Sequence, residues 1–212
     1  MRKTLAVVAL SIAIIAAGAR AQAPVRHTFA LSPAEFLLDG LPFQIRSGEM
    51  HPARIPAEYW RHRIRMAKAM GLNTIAAYIF WNYHEPVEGT FDFKTGNRDI
   101  ARFIRIAQEE GMWVLLRPGP YVCAEWDFGG IPSYLLRDPG LKIRSMYPHY
   151  MMAAERYMAR LADVVRPLLV THGGPILMVL STSFCVTTPR KLFSASVTII
   201  LLMLFSIIRF RA

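Results

Sequence analysis

The hydrophobic and polar positions of this chain follow two rhythms. Residues 74–80, Thr-Ile-Ala-Ala-Tyr-Ile-Phe, are β-branched, small or aromatic and carry no charge, the pattern of a buried strand. Residues 113–116 and 176–180 repeat it. Between these runs, apolar positions return near helical spacing. Tyr59, Ile64, Ala67 and Met70 predict a helix that opens at Pro56 and Glu58. Ile100, Phe103, Ile104 and Ala107 predict a second over 100–108, and residues 150–169 a long third. Gly71 and Gly111 are placed as helix stops. Upstream, residues 36–38 and 43–45 predict short strands around an Asp39-Gly40 turn, and residues 47–52 a polar loop.

The resulting order is strand, helix, strand, helix, strand, helix, strand. Such alternation implies βα units around a parallel sheet. Long, chemistry-rich loops follow the strands and short Gly turns precede them. That asymmetry predicts an α/β fold of the (β/α)8 TIM barrel type, whose active site is built from the loops after the strands. A doubly wound sheet is the alternative, but the Gly-rich phosphate loop after its first strand is missing. A whole barrel takes about 250 residues. Four strands are readable, so the expectation is an incomplete barrel of about the first four βα units.

The loops after three successive strands each combine carboxylates with aromatics. The first holds Glu49 and His51, the second Tyr78, Trp81, Asn82, His84 and Glu85, the third Tyr121, Glu125, Trp126 and Asp127. Ring faces stack on the C–H surfaces of sugars while carboxylates accept hydroxyl hydrogen bonds. Structural roles compete at each position. Glu125 could pair with an arginine such as Arg117, His51 and His84 could be hydrogen-bonded loop histidines, and Cys123 a small buried hydrophobe. Trp60 and Trp113 read as packing residues.

Charge changes this picture little. The formal net charge of the 212 residues is +10, which raises nucleic acid as a partner. Residues 22–179, however, carry 18 Lys and Arg against 15 acidic residues, with no basic run. A nucleic-acid partner is therefore not expected. Two cysteines, Cys123 and Cys185, make no disulfide framework, and no Cys/His cluster has metal-ligand spacing. Neither a metal nor a cofactor is expected. Arg2-Lys3, the apolar residues 5–17 and Ala19-Arg20-Ala21 form a secretory signal pattern. Residues 1–21 are thus expected to be removed, leaving a secreted or periplasmic chain.

Four segments, in order, carry a resemblance to a known family. They are Ser47-Gly48-Glu49-Met50-His51, then Gly71-Leu72-Asn73-Thr74, then Trp81-Asn82-Tyr83-His84-Glu85-Pro86, then Arg117-Pro118-Gly119-Pro120-Tyr121-Val122-Cys123-Ala124-Glu125-Trp126-Asp127-Phe128-Gly129-Gly130. Together they resemble glycoside hydrolase family 35, the β-galactosidases, over residues 29–179. The resemblance implies a (β/α)8 catalytic barrel and retaining hydrolysis of terminal β-galactosides. It implies galactose contacts by Tyr78, Cys123, Ala124 and Glu125, with Glu125 accepting hydroxyl hydrogen bonds rather than donating the catalytic proton. Asn82, His84 and Glu85 match a shell around the same pocket.

The match breaks after Val179. The family follows Gly-Gly-Pro and an apolar strand with Gln-x-Glu-Asn-Glu-Tyr. Here Gly173-Gly174-Pro175 and residues 176–179 run into Leu180-Ser181-Thr182-Ser183-Phe184-Cys185. Phe184 stands where the acid/base glutamate is expected, and the nucleophile belongs after a seventh strand. The expectation is a β-galactosidase-like sequence without its catalytic pair and inactive as written; the alternative is a non-catalytic galactose-binding remnant. Residues 180–212 contain no Gly, Asp or Glu and read as an aberrant apolar tail. Residues 193–208 are uncharged but only 16 long, against about 20 for a membrane span, so an accidental apolar run is preferred to an anchor.

Overall fold

The computed structural model describes residues 25–180. The expected signal segment 1–21, the Phe184 position, Cys185 and the apolar run 193–208 lie outside the described residues. The described chain opens with a three-stranded antiparallel sheet: β1 (Phe29–Leu31), β2 (Phe36–Leu38) and β3 (Leu41–Pro42). Asp39 (φ 52°) and Gly40 (φ 79°) make the tight β2–β3 turn in left-handed geometry. The strand expected at 43–45 lies earlier, at Leu41–Pro42. Phe43 contributes one further bond, its N–H donating to Phe36 O at 2.8 Å.

A four-stranded parallel sheet follows, in the order β4 (Ser47–Met50), β5 (Thr74–Tyr78), β6 (Trp113–Arg117) and β7 (Ile176–Val179). The last three match the expected runs. β4 does not: the predicted polar loop at 47–52 begins as a strand, paired Gly48 to Ile75 and Glu49 to Ala76. Its composition hid it, since Ser, Gly and Glu have weak strand preference. Gly48 leaves room for the Leu72 side chain: a Cβ there would lie 2.6 Å from Leu72 Cδ1. Asn73 helps align β4 with β5. Its side-chain carbonyl accepts from Arg46 N at 2.9 Å and its amide donates to Gln44 O at 2.8 Å.

Alternate residues along these strands serve different cores. Ile75, Ala77, Val114, Leu116 and Ile176 face the helices. Those are α1 (Trp60–Ala69), α3 (Ile100–Glu109) and α4 (Pro148–Val165); a single turn, α2 (Trp81–His84), follows β5. Trp60 is fully buried and meets Phe103 edge-on, 5.4 Å between centroids. Helix α4 starts at Pro148, whose missing N–H costs nothing in a first turn. It stops at Val165 rather than 169, because Pro167 cannot continue the ladder. On the opposite face, Ala76, Leu115 and Leu177 pack with Phe29, Leu38, Phe43, Ile45 and Trp113. The antiparallel sheet thus covers the amino-terminal part of that face and leaves the carboxyl-terminal part to the loops.

Candidate functional site

At the carboxyl ends of β4, β5 and β6, three polar side chains meet on the non-helical face. Register places them there: Glu49 pairs with Ala76, and Tyr78, two residues on, pairs with Arg117. The Tyr78 hydroxyl donates to Glu49 Oε1 at 2.6 Å. Arg117 approaches the same oxygen at 3.3 Å and lies over the Tyr78 ring, 4.4 Å from its centroid. Burial, with the Glu49 hydrogen bond, pushes the Tyr78 hydroxyl up to about 12. Its one proton is committed to Glu49, so toward a ligand the oxygen can only accept. Arg117 therefore pairs with Glu49, not with Glu125.

The loop after β6 lies beside this cluster. Its backbone turns through left-handed geometry at Glu125 (φ 45°), Phe128 (φ 46°) and Gly129 (φ 61°). At Gly129 a side chain would collide with the Tyr121 ring, so glycine is required twice over. Val122 N donates to Gly129 O at 2.8 Å and closes the loop on itself. Trp126 stacks flat on Phe80, 4.0 Å between centroids and 4° between planes. Its indole N–H donates to Asn82 Oδ1 at 2.8 Å, and the Asn82 amide donates to Asp127 O at 3.2 Å. Cys123 has a free, exposed thiol, Glu125 is exposed, and Ala124 is buried against Tyr78 and Phe80.

His51 stands between the first and third loops, its ring 4.7 Å from Tyr78 and 5.5 Å from Phe80. Burial and then the Arg54 charge lower its pKa, while Glu49 and Glu125 oppose the shift. Of the residues singled out in the sequence, the structure brings together Glu49, His51, Tyr78, Cys123, Ala124 and Glu125, with Asn82 bracing Trp126. His84 and Glu85 turn the other way, into the core. The His84 ring stacks on Phe93 at 4.7 Å and its Nδ1 bonds to Asp92 O at 2.8 Å. Glu85 is fully buried and accepts from Trp81 Nε1 at 2.6 Å, Gly89 N at 2.8 Å and Arg156 at 3.1 Å. Trp81 is likewise a core residue, stacked on Tyr157 at 5.2 Å. Sequence reasoning passed over Arg54, which touches His51, Phe80, Ala124, Glu125 and Trp126; nothing in an isolated loop arginine signals that role.

This geometry is accompanied by close sequence relatives. Residues 35–181 match the profile of Glycosyl hydrolases family 35. The chain belongs to this family. A Beta-galactosidase of Xanthomonas manihotis is 44% identical over 179 residues, covering 84% of this chain and 30% of the relative. A Beta-galactosidase of Mus musculus is 46% identical, covering 73% of this chain and 24% of the relative. Beta-galactosidase-1-like protein 2 of Homo sapiens is 48% identical, covering 68% and 22%. The chain thus spans less than a third of the length of these relatives. Among solved structures, a GH5_18 protein of Bifidobacterium longum subsp. infantis superposes with a TM-score of 0.53 at 16% identity, covering 79% of this chain and 41% of that one. The exo-beta-1,4-mannosidase Op5Man5 of Opitutaceae bacterium strain TAV5 gives 0.51 at 15%, covering 62% and 24%. At that identity the likeness is one of fold. The family 35 residues thus form an α/β unit with a parallel sheet and a polar cluster at its carboxyl end.

Proposed function

We propose that this chain carries the galactose-recognising part of a β-galactosidase-type site. The observation that carries the reading is the convergence of Tyr78, Glu49 and Arg117 with the exposed Glu125 and Cys123 at the carboxyl end of a parallel sheet, in a chain of family 35. Relatives named Beta-galactosidase supply the sugar. In this reading the four parallel strands are the first four βα units of a (β/α)8 barrel. Tyr78 accepts from one sugar hydroxyl, and the Glu125 carboxylate accepts from others. No basic patch or metal is needed to hold a neutral polyol. Residues 1–21 would direct the chain out of the cytoplasm.

Retaining hydrolysis needs two carboxyl groups about 5–5.5 Å apart, one as acid/base and one as nucleophile. With Phe184 at the expected acid/base position, this β-galactosidase-like chain is proposed not to turn the sugar over as written. The test is calorimetric titration with methyl β-galactoside, with methyl α-mannoside as control. Tyr78→Phe and Glu125→Gln should each weaken binding by roughly tenfold or more, the worth of a hydrogen bond that involves a charged or committed partner. Equal binding of the mannoside, or affinity unchanged in both variants, rejects the site. An aryl β-galactoside should show no turnover. Rates in the usual enzymatic range of about 1–10³ per second would mean that the acid/base position is not Phe184.

A further inference from the structure

Arg54 follows β4, yet most of its contacts are with the loop after β6, two strands away. One terminal nitrogen donates to Ala124 O at 2.8 Å and to Glu125 O at 2.5 Å. The other lies 2.5 Å from His51 Nδ1. The guanidinium carbon is 5.2 Å from the Trp126 ring centroid and 5.6 Å from that of Phe80, inside the range of cation–π attraction. One side chain thus touches the backbone that carries Glu125, the aromatic pair beneath it, and the histidine beside Tyr78.

We infer that Arg54 is a positioning residue, which holds the Ala124–Glu125 backbone in its ligand-facing conformation and fixes His51 as the Nε2–H tautomer. The backbone half of this rests on Glu125 being left-handed (φ 45°), a conformation a non-glycine residue rarely keeps unaided. No glycine relieves it at that position. Two successive carbonyls converge on one Arg54 nitrogen, and a permanently charged donor satisfies both. The tautomer half follows from the donor inventory. A guanidinium has no acceptor, so Nδ1 of His51 must accept and the ring proton must sit on Nε2. Burial, then the Arg54 and Arg117 charges, disfavours protonation of His51, while Glu49 and Glu125 favour it, and the balance lowers its pKa from the ordinary 6.5. Lysine could supply the charge but not the planar fork that stacks and bonds at once.

The consequence for sugar binding rests on the function proposed above; the coupling between Arg54, the loop and His51 does not. The test uses the full chain, as wild type, Arg54→Lys and Arg54→Gln. Nitrogen NMR of the His51 ring should show the Nε2–H tautomer in wild type, retained in Arg54→Lys and mixed in Arg54→Gln. The His51 pKa should rise toward its ordinary value in Arg54→Gln. Amide exchange at Val122 and Gly129 should accelerate by about tenfold in both variants, the loss of one charge-assisted hydrogen bond. If Arg54→Gln fails to fold, Arg54→Lys still decides the loop: unchanged exchange there overturns the inference. Unchanged tautomer and exchange in a folded Arg54→Gln also overturn it. Absence of methyl β-galactoside binding to wild type, with the NMR changes present, rejects the sugar reading and leaves the coupling standing.

Discussion

Glu85 has no contact with solvent, and the groups that reach it are donors: the Trp81 indole, the Gly89 amide and the Arg156 guanidinium. Its carboxylate joins the turn after β5 to α4. Glu85→Ala should destabilise the fold, with stranding of the buried indole N–H alone costing about 1–3 kcal/mol. A urea midpoint equal to wild type would show that the network is dispensable. His84, the neighbouring residue, gives a pH signature. Burial drives its imidazole down to about 4 from an ordinary 6.5, so the unfolded chain takes up the proton first. Stability from this site is full above about pH 6.5 and is lost as the pH falls toward 4. His84→Phe keeps a ring against Phe93 and should flatten that slope relative to wild type. Parallel urea titrations across the same window check it, and an unchanged slope would place the acid sensitivity elsewhere.

Among the elements, α3 has a side-chain cap that can be tested by itself. Asp99 sits at its N-cap and its Oδ1 accepts from Arg102 N at 2.9 Å. That bond satisfies one of the orphan donors of the first turn, and its negative charge suits the positive end of the helix. Asp99→Ala should cost about 1 kcal/mol, read as a shift in the denaturation midpoint with unchanged slope. A neutral result would mean that packing of Phe103, Ile104 and Ala107 fixes the helix start without the cap. The turn between β6 and the Glu125 loop is anchored differently, by Tyr157 of α4. Its buried hydroxyl donates to Pro118 O at 2.8 Å, tying the site loop to the outer layer.

Across the described residues as a whole, the parallel sheet is covered on one face by helices and, over the amino-terminal part of the other, by the antiparallel strands β1–β3. Phe43 belongs to that second cover, 6.4 Å edge-on from Trp113 and packed near Leu115 and Leu177. Phe43→Ala should loosen β1–β3 locally while the sheet and its helices stay folded. Low-dose chymotrypsin should then cut residues 29–43 faster than in wild type, with circular dichroism little changed. Equal cleavage rates would show that the His27–Asp39 pair, 2.6 Å apart, and the strand bonds hold this segment without Phe43.

The sequence by itself determined what local pattern can specify. Three uncharged runs became β5, β6 and β7, because a strand buried on both faces leaves an apolar stretch that nothing else explains. Apolar spacing placed α1 and α3, and the long motif after β6 marked the Glu125 loop. β4 was illegible, since a short polar segment becomes a strand only when β5 offers it a ladder. The directions of side chains were illegible for a related reason. Glu85 and Glu125 are the same residue type in motifs of similar composition, yet one is sealed beneath Arg156 and Trp81 and the other faces solvent. Only the folded chain decides that, because it alone brings Arg54 to the carbonyls of residues 70 and 71 positions further on, and Arg156 to a carboxylate 71 positions before it.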